Sequence, residues 1–194
     1  MSLDGFVAGP NDGLENSLGD GGNRLFEWYF NGNTEVPISD GQMTLKVSSQ
    51  SAEILREVIA MTGAGVWGRK TFDIARAWGG HPPSSPCFIV THNVPDEWNK
   101  KDSPFTFVTD GIESAISQAK IAAGEKNVGV CTANILQQCI NAGLIDEIQI
   151  DLVPVLLGGG VRLFDNLNSA CINLKCIKNI QTSDVTHLHF HVIK

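Results

Sequence analysis

Apolar and polar positions follow two rhythms along this chain. Residues 51–62 place Ala52, Leu55, Val58 and Ile59 three and four apart, which predicts a helix with Ser51 as its N-cap. Ile112, Ala115, Ile116 and Ala119 form a second such stripe. Ile135, Leu136, Cys139 and Ile140 form a third, ended by Gly143 as C-cap. Residues 68–77 begin a further helix. Short apolar runs at 64–67, 87–91, 105–109, 127–131 and 145–153 read as strands, and residues 1–8 as the end of another, stopped by Gly9-Pro10. Strands alternating with helices predict an α/β class with a mainly parallel central sheet and helices on both faces. The final runs, 171–180 and 185–193, have no helix between them and predict a C-terminal antiparallel hairpin at the sheet edge.

Two stretches break the pattern. Residues 10–24 and 31–48 are rich in Gly, Asn, Asp and Pro and read as loops, with one or two helical turns at 25–30. Long ordered loops often carry function. Trp28, Tyr29 and Phe30 are expected as a lid, and residues 78–83 as a rigid aromatic wall. Both suit stacking on a flat ring, and core packing is the other reading. Glycines 158–160 read as turn-formers.

The length of 194 residues suits a single domain, 1–194. A net charge of −7 and the lack of any Lys or Arg run argue against nucleic acid or an anionic membrane as partner. No apolar stretch approaches the ~20 residues that span a bilayer. No basic-then-apolar start suggests a signal peptide. The five cysteines are widely spaced with no CxxC pair, as for reduced thiols in a cytoplasmic protein. His187, His189 and His191 alternate on one strand face and invite a metal reading. Leu188, Phe190 and Val192 opposite form an ordinary buried stripe, so a solvated histidine face without metal is expected.

The sharpest local signal is Gly68-Arg69-Lys70-Thr71, at a strand end and a helix start. Gly68 permits close backbone approach, Arg69 and Lys70 add positive charge, and the Thr71 hydroxyl can donate or cap. The set suits a pyrophosphate or a ribose 2′-phosphate. An ordinary capped helix with two solvated charges is the alternative.

Several segments carry a wider resemblance. They are Ser2-Leu3-Asp4-Gly5-Phe6-Val7-Ala8-Gly9, Val66-Trp67-Gly68-Arg69-Lys70-Thr71-Phe72, and Phe88-Ile89-Val90-Thr91-His92. Gly143-Leu144-Ile145-Asp146-Glu147 and Pro154-Val155-Leu156-Leu157-Gly158-Gly159-Gly160 follow, with Arg162-Leu163-Phe164. In this order and spacing the chain resembles the dihydrofolate-reductase superfamily. It is most similar to the C-terminal reductase domain of bacterial deaminase-reductases of riboflavin synthesis.

The resemblance implies an NADPH-dependent reductase acting on a small pyrimidine- or pteridine-like heterocycle, and a homodimer. It implies that Gly68, Arg69, Lys70 and Thr71 hold the cofactor phosphates. Thr91 and His92 would flank the 2′-phosphate, or form a polar strand exit. Ala8 and Gly9 would lie along the nicotinamide. For the proton donor it leaves Glu53, on the helix before the Gly-Arg segment, and Asp4, unless these are a solvated helix charge and a turn former.

Two departures stand out. The family's Gly-Gly-Ala turn, with its strained peptide beside the cofactor, is replaced by Cys131-Thr132-Ala133. The expected result is a turn relaxed to trans, with the Cys131 and Thr132 side chains in the pyrophosphate path and weak NADPH affinity. A non-catalytic ligand-binding protein that kept the fold is the alternative function. The family's first strand also begins before the Ser-Leu-Asp-Gly segment, so a first strand truncated relative to its relatives is expected here.

Overall fold

The structure, a computed structural model, describes residues 1–38, 41–168 and 171–194. In chain order its strands are β1 (Phe6–Ala8), β2 (Thr34–Ile38), β3 (Met43–Val47), β4 (Thr62–Gly68), β5 (Cys87–Val90) and β6 (Thr106–Val108). They continue with β7 (Asn127–Cys131), β8 (Glu147–Leu152), β9 (Val161–Arg162), β10 (Leu174–Gln181) and β11 (Thr186–Val192). The α-helices are α1 (Ser49–Met61), α2 (Arg69–Ile74), α3 (Ile112–Ala123) and α4 (Ala133–Asn141).

The fold is mixed α/β, as the alternating pattern predicts. A parallel sheet has the order β6-β5-β4-β7, and an antiparallel one the order β10-β11-β8. The predicted C-terminal hairpin is β10–β11. Helices α3 and α4 lay their apolar stripes over one face of both sheets. Ile116, Ala119, Ile135 and Cys139 pack there with Val66, Phe88, Ile148 and Ile150. Each fully buried aliphatic side chain contributes about 1.5–3 kcal/mol, so this shared layer holds the two sheets together. The other face of the antiparallel sheet meets α1, where Trp28, Val36, Val47, Ala52, Val153 and Val185 cluster.

Three local expectations need correction. Residues 31–48 are not simply loop: β2 and β3 form an antiparallel hairpin, with Val36 opposite Leu45. Val36, Leu45 and Val47 point inward, and their burial outweighs the loop signal of Pro37 and Gly41. The N-cap of α1 is Ser48, whose hydroxyl accepts from the Ser51 amide. Ser51 therefore lies inside the first turn, buried. Helix α2 stops at Ile74, well before residue 77. After it Arg76, Ala77, Trp78, Gly79 and Gly80 all have positive φ, a left-handed turn that swings Trp78 onto Trp67 and Phe72.

The first strand is short. The Met1 amino group donates to the Asp151 carbonyl (2.6 Å), the Val153 amide donates to the Met1 carbonyl (2.8 Å), and Ser2 bridges Val153 in parallel. The chain then turns, and β1 pairs antiparallel with β9. No described strand lies along the outer edge of β7.

Candidate functional site

Parallel strands β4, β5 and β7 all end toward one side, where open α/β sheets hold ligands. At the β4 exit Arg69 reaches the loop after β5. Its Nη1 donates to Thr91 Oγ1 (3.3 Å) and to the Asn93 carbonyl (2.7 Å), and its Nε donates to Asp73. The structure thus brings Arg69 and Thr91 together, with His92 exposed beside them. Lys70 Nζ pairs with Asp12 Oδ2 at 2.7 Å, and Thr71 is half-buried. An open hollow of about 440 Å³ lies here, lined by Gly13, Leu14, Arg69, Lys70, Asp73 and Ile74.

At the β7 exit the expected relaxation holds only in part. The cis peptide among the described residues is Ser85–Pro86, so the bond between Cys131 and Thr132 is trans. Thr132 nevertheless keeps φ at 136°, a region that disfavours a β-branched residue. Thr132 Oγ1 turns inward beside Ile135 and Gly68, where a Cβ on Gly68 would come within 3.2 Å of it. Burial pushes the Cys131 thiol up to about 12.

These residues fit a dinucleotide phosphate. Thr132 Oγ1 is buried with no hydrogen-bond partner, and no side chain caps the first amides of α4. Unpartnered amides at a helix N-terminus attract anions. The carboxylates beside Arg69 and Lys70 form partly exposed pairs, worth about 0–1 kcal/mol, which a phosphate can displace. NADPH would be held by Arg69, Lys70 and Thr91 at one end and by the Gly68–Thr132 contact at the other.

The remaining sequence candidates separate. Gly9 is buried where a Cβ would collide with the Asp20 carbonyl, and Ala8 packs against Gly160, so both fix the loops around β1. Gly158 and Gly160 have positive φ and form turns. Asp4 accepts from the Leu157 amide (3.1 Å), the Gly158 amide (2.7 Å) and Ser2 Oγ (2.6 Å). Led by the Ser2 contact, these bonds hold its pKa down at about 2, so at neutral pH it is a loop clamp without a proton to give. Glu53 is exposed on α1. Trp28 and Tyr29 pack inside instead of forming a lid, whereas Phe30 is exposed.

The histidine face is not uniformly solvated. His191 is exposed and His189 pairs with Glu147, but His187 is 5% exposed. Its Nε2 lies 2.9 Å from Ser51 Oγ, and its Nδ1 lies 2.6 Å from Asp151 Oδ1. Sequence reasoning missed this trio. Its one visible signal was an alternating histidine on a strand that faces Asp151 across an antiparallel pair. Among the described residues no cluster of His, Cys, Asp or Glu could hold a metal ion. No described helix is long and apolar enough to cross a membrane.

Fold and site together define a dihydrofolate-reductase-like α/β protein. The chain belongs to the RibD C-terminal domain family, whose model matches residues 1–188. It is 28% identical over 140 residues to YyaP of Bacillus subtilis (strain 168), an uncharacterised protein, covering 65% of this chain and 72% of YyaP. It is 29% identical over 105 residues to the uncharacterised YwjB of the same organism, covering 54% of this chain and 58% of YwjB. The fold matches a crystal structure from Shewanella sp. PV-4, a protein ascribed to riboflavin biosynthesis. That match has TM-score 0.72 and 22% identity, and covers 100% of this chain and 96% of the other. A Thermotoga maritima diaminohydroxyphosphoribosylaminopyrimidine deaminase/5-amino-6-(5-phosphoribosylamino)uracil reductase matches at TM-score 0.60 and 8% identity. It covers 100% of this chain and 54% of that longer protein.

Proposed function

We propose that this protein is an NADPH-dependent reductase that passes hydride to a small pyrimidine- or pteridine-like heterocycle. The observation that carries this reading is the convergence of Arg69, Lys70 and Thr91 beside the β4 and β5 exits, close to the strained Thr132 turn. When bound, the nicotinamide supplies the hydride. The chain's own residues orient the phosphates and exclude water around the reacting ring. Titrating NADPH against intrinsic tryptophan fluorescence tests this, since Trp67 sits on the strand that leads into Gly68. Saturable quenching by NADPH, weaker for NADH, is the expected result.

A second reading, a ligand-binding protein without turnover, draws on one observation. Arg69 and Lys70 are already engaged by Asp73 and Asp12. Binding of NADPH without oxidation in the presence of dihydropteridine or aminouracil substrates would favour it.

We also propose a homodimer. Strand β10 is a sheet edge with Leu174, Cys176 and Ile177 exposed, and exposed edges are usually covered or paired. Light scattering is expected to give twice the chain mass, and Ile177→Lys the monomer.

A further inference from the structure

Three side chains form a hydrogen-bonded line from the first turn of α1 to the end of β8. Ser51 meets His187 at 2.9 Å, and His187 meets Asp151 at 2.6 Å. These are the residue types of a hydrolytic triad, but the burial is reversed. A nucleophilic serine must reach its substrate, while its aspartate sits behind the histidine. Here Ser51 is 1% exposed and the Asp151 side chain is 39% exposed. Ser51 cannot attack anything, so the reacting end of the line is Asp151.

Asp151 stands near the end of β8 as Cys131 stands at the end of β7. Trp28 meets the His187 ring edge-on and stacks against half-buried Tyr29 at 4.1 Å, so two aromatic rings wall the line on the side of α1. Ala52, on the buried face of α1, brings no carboxylate to this place, and Glu53 points to solvent. We propose that Asp151 delivers the proton of the reduction, with His187 and Ser51 as positioning residues that hold and resupply it. This rests on the reductase reading above and adds the acid that reading lacks.

Reduction of a ring C=N bond needs a hydride at carbon and a proton at nitrogen. A reduced nicotinamide supplies the hydride and is oxidised. The Asp151–His187 pair shares one proton and supplies it. The Asp151 O–H bond breaks as the N–H bond of the product forms, leaving a carboxylate. His187 Nδ1 returns a proton along the 2.6 Å contact. His187 Nε2 takes one from the Ser51 hydroxyl, Ser51 takes one from Ser48, and half-buried Ser48 takes one from water. The net change is one proton moved from water to the product.

The network is satisfied in either charge state. With Nε2 bare, Ser51 donates to it. With Nε2 protonated, Ser51 accepts and turns its own hydrogen toward Ser48, 2.9 Å away. Rotating two hydroxyls converts one state into the other.

The other groups around the line do not compete. At Asp151 these are the Met1 amino group and Tyr29, and at His187 the Trp28 ring, edge-on at 5.4 Å. Farther along the same face His189 is occupied by Glu147. Burial lowers the Met1 amino pKa and raises that of the Tyr29 phenol, so both favour their neutral forms.

The test uses the purified full chain without cofactor and 2,4-diaminopyrimidine as the heterocyclic probe. Nitrogen-15 NMR of the histidine rings reads the protons on His187. The probe is expected to shift both His187 ring nitrogens and leave exposed His191 unmoved. In Asp151→Asn, which keeps the side chain's shape, the response is expected to weaken about tenfold, as for one lost charge-assisted bond. In Ser51→Ala, which leaves the Ser48 cap intact, probe affinity is expected to persist while the Nε2 part of the shift is lost. NADPH is titrated separately on the same samples. A chain that binds no NADPH overturns the reductase reading. A His187 that stays silent, or a full response in Asp151→Asn, in a chain that does bind NADPH overturns the relay alone.

Discussion

Arg69 Nε donates to both carboxylate oxygens of Asp73, at 2.8 and 3.0 Å. The guanidinium that would meet a phosphate is thus already held by a carboxylate four residues on. A partly exposed pair of this kind is worth about 0–1 kcal/mol, and a carboxylate near a phosphate also repels it. Asp73→Asn is expected to tighten NADPH up to about fivefold in a fluorescence titration. Unchanged or weaker binding would mean that Asp73 orients Arg69 rather than competing for it.

Arg69→Ala is expected to weaken NADPH more than NADH. The guanidinium lies against Thr91 and Asn93, the corner where a 2′-phosphate would sit. That phosphate is the only group that differs between the two cofactors. Losing one charge-assisted contact costs roughly 1.5–3 kcal/mol. Equal losses for both cofactors would put Arg69 on the shared pyrophosphate instead.

Thr132→Gly is expected to stabilise the fold. A β-branched residue at φ 136° stores strain of about 1–3 kcal/mol, and the buried Oγ1 has no partner. Glycine's extra unfolded-state freedom takes back about 0.5–1 kcal/mol. The net gain of about 1 kcal/mol should appear as a higher urea midpoint with an unchanged slope. A lower midpoint would show that packing against Ile135 outweighs the strain.

Asp4 supplies an acid-range dependence. Its folded pKa, about 2, lies below the ordinary value of 3.8 because Ser2 and the 157–158 amides bind the carboxylate. A depressed carboxyl contributes stability that is fully present above the unfolded pKa and is lost as pH falls toward the folded one. Wild type should therefore lose stability more steeply than Asp4→Asn between about pH 4 and 2. Parallel curves for the two proteins would refute the clamp.

The helical stripes of α1, α3 and α4 and the strand exits at Gly68, Val90 and Cys131 were legible because each is a local periodicity. The β2–β3 hairpin was not. Pro37 and Gly41 signal loop, and what holds Val36, Leu45 and Val47 inward is packing on Trp28 and Ala52 elsewhere in the chain. Of the candidate site, Arg69 and Thr91 could be placed at neighbouring strand ends from sequence alone. Ser51, His187 and Asp151 could not, since they meet only once the β8–β11 register sets His187 opposite Asp151 and α1 covers that face. Without that cover, alternation makes the three histidines look equally solvated.

The separation of β7 from β8 has a mechanical consequence. Among the described residues no backbone ladder crosses from the parallel sheet to the antiparallel one, and beyond β11 the pairing of β8 is with Met1 and Ser2. The seam is bridged by side-chain packing, which resists shear less than a row of amide bonds does. Deuterium uptake should therefore come in two tiers. Amides inside β4 and β5 are expected to be protected longest, while those along the unpaired outer edge of β7 exchange earlier through local opening.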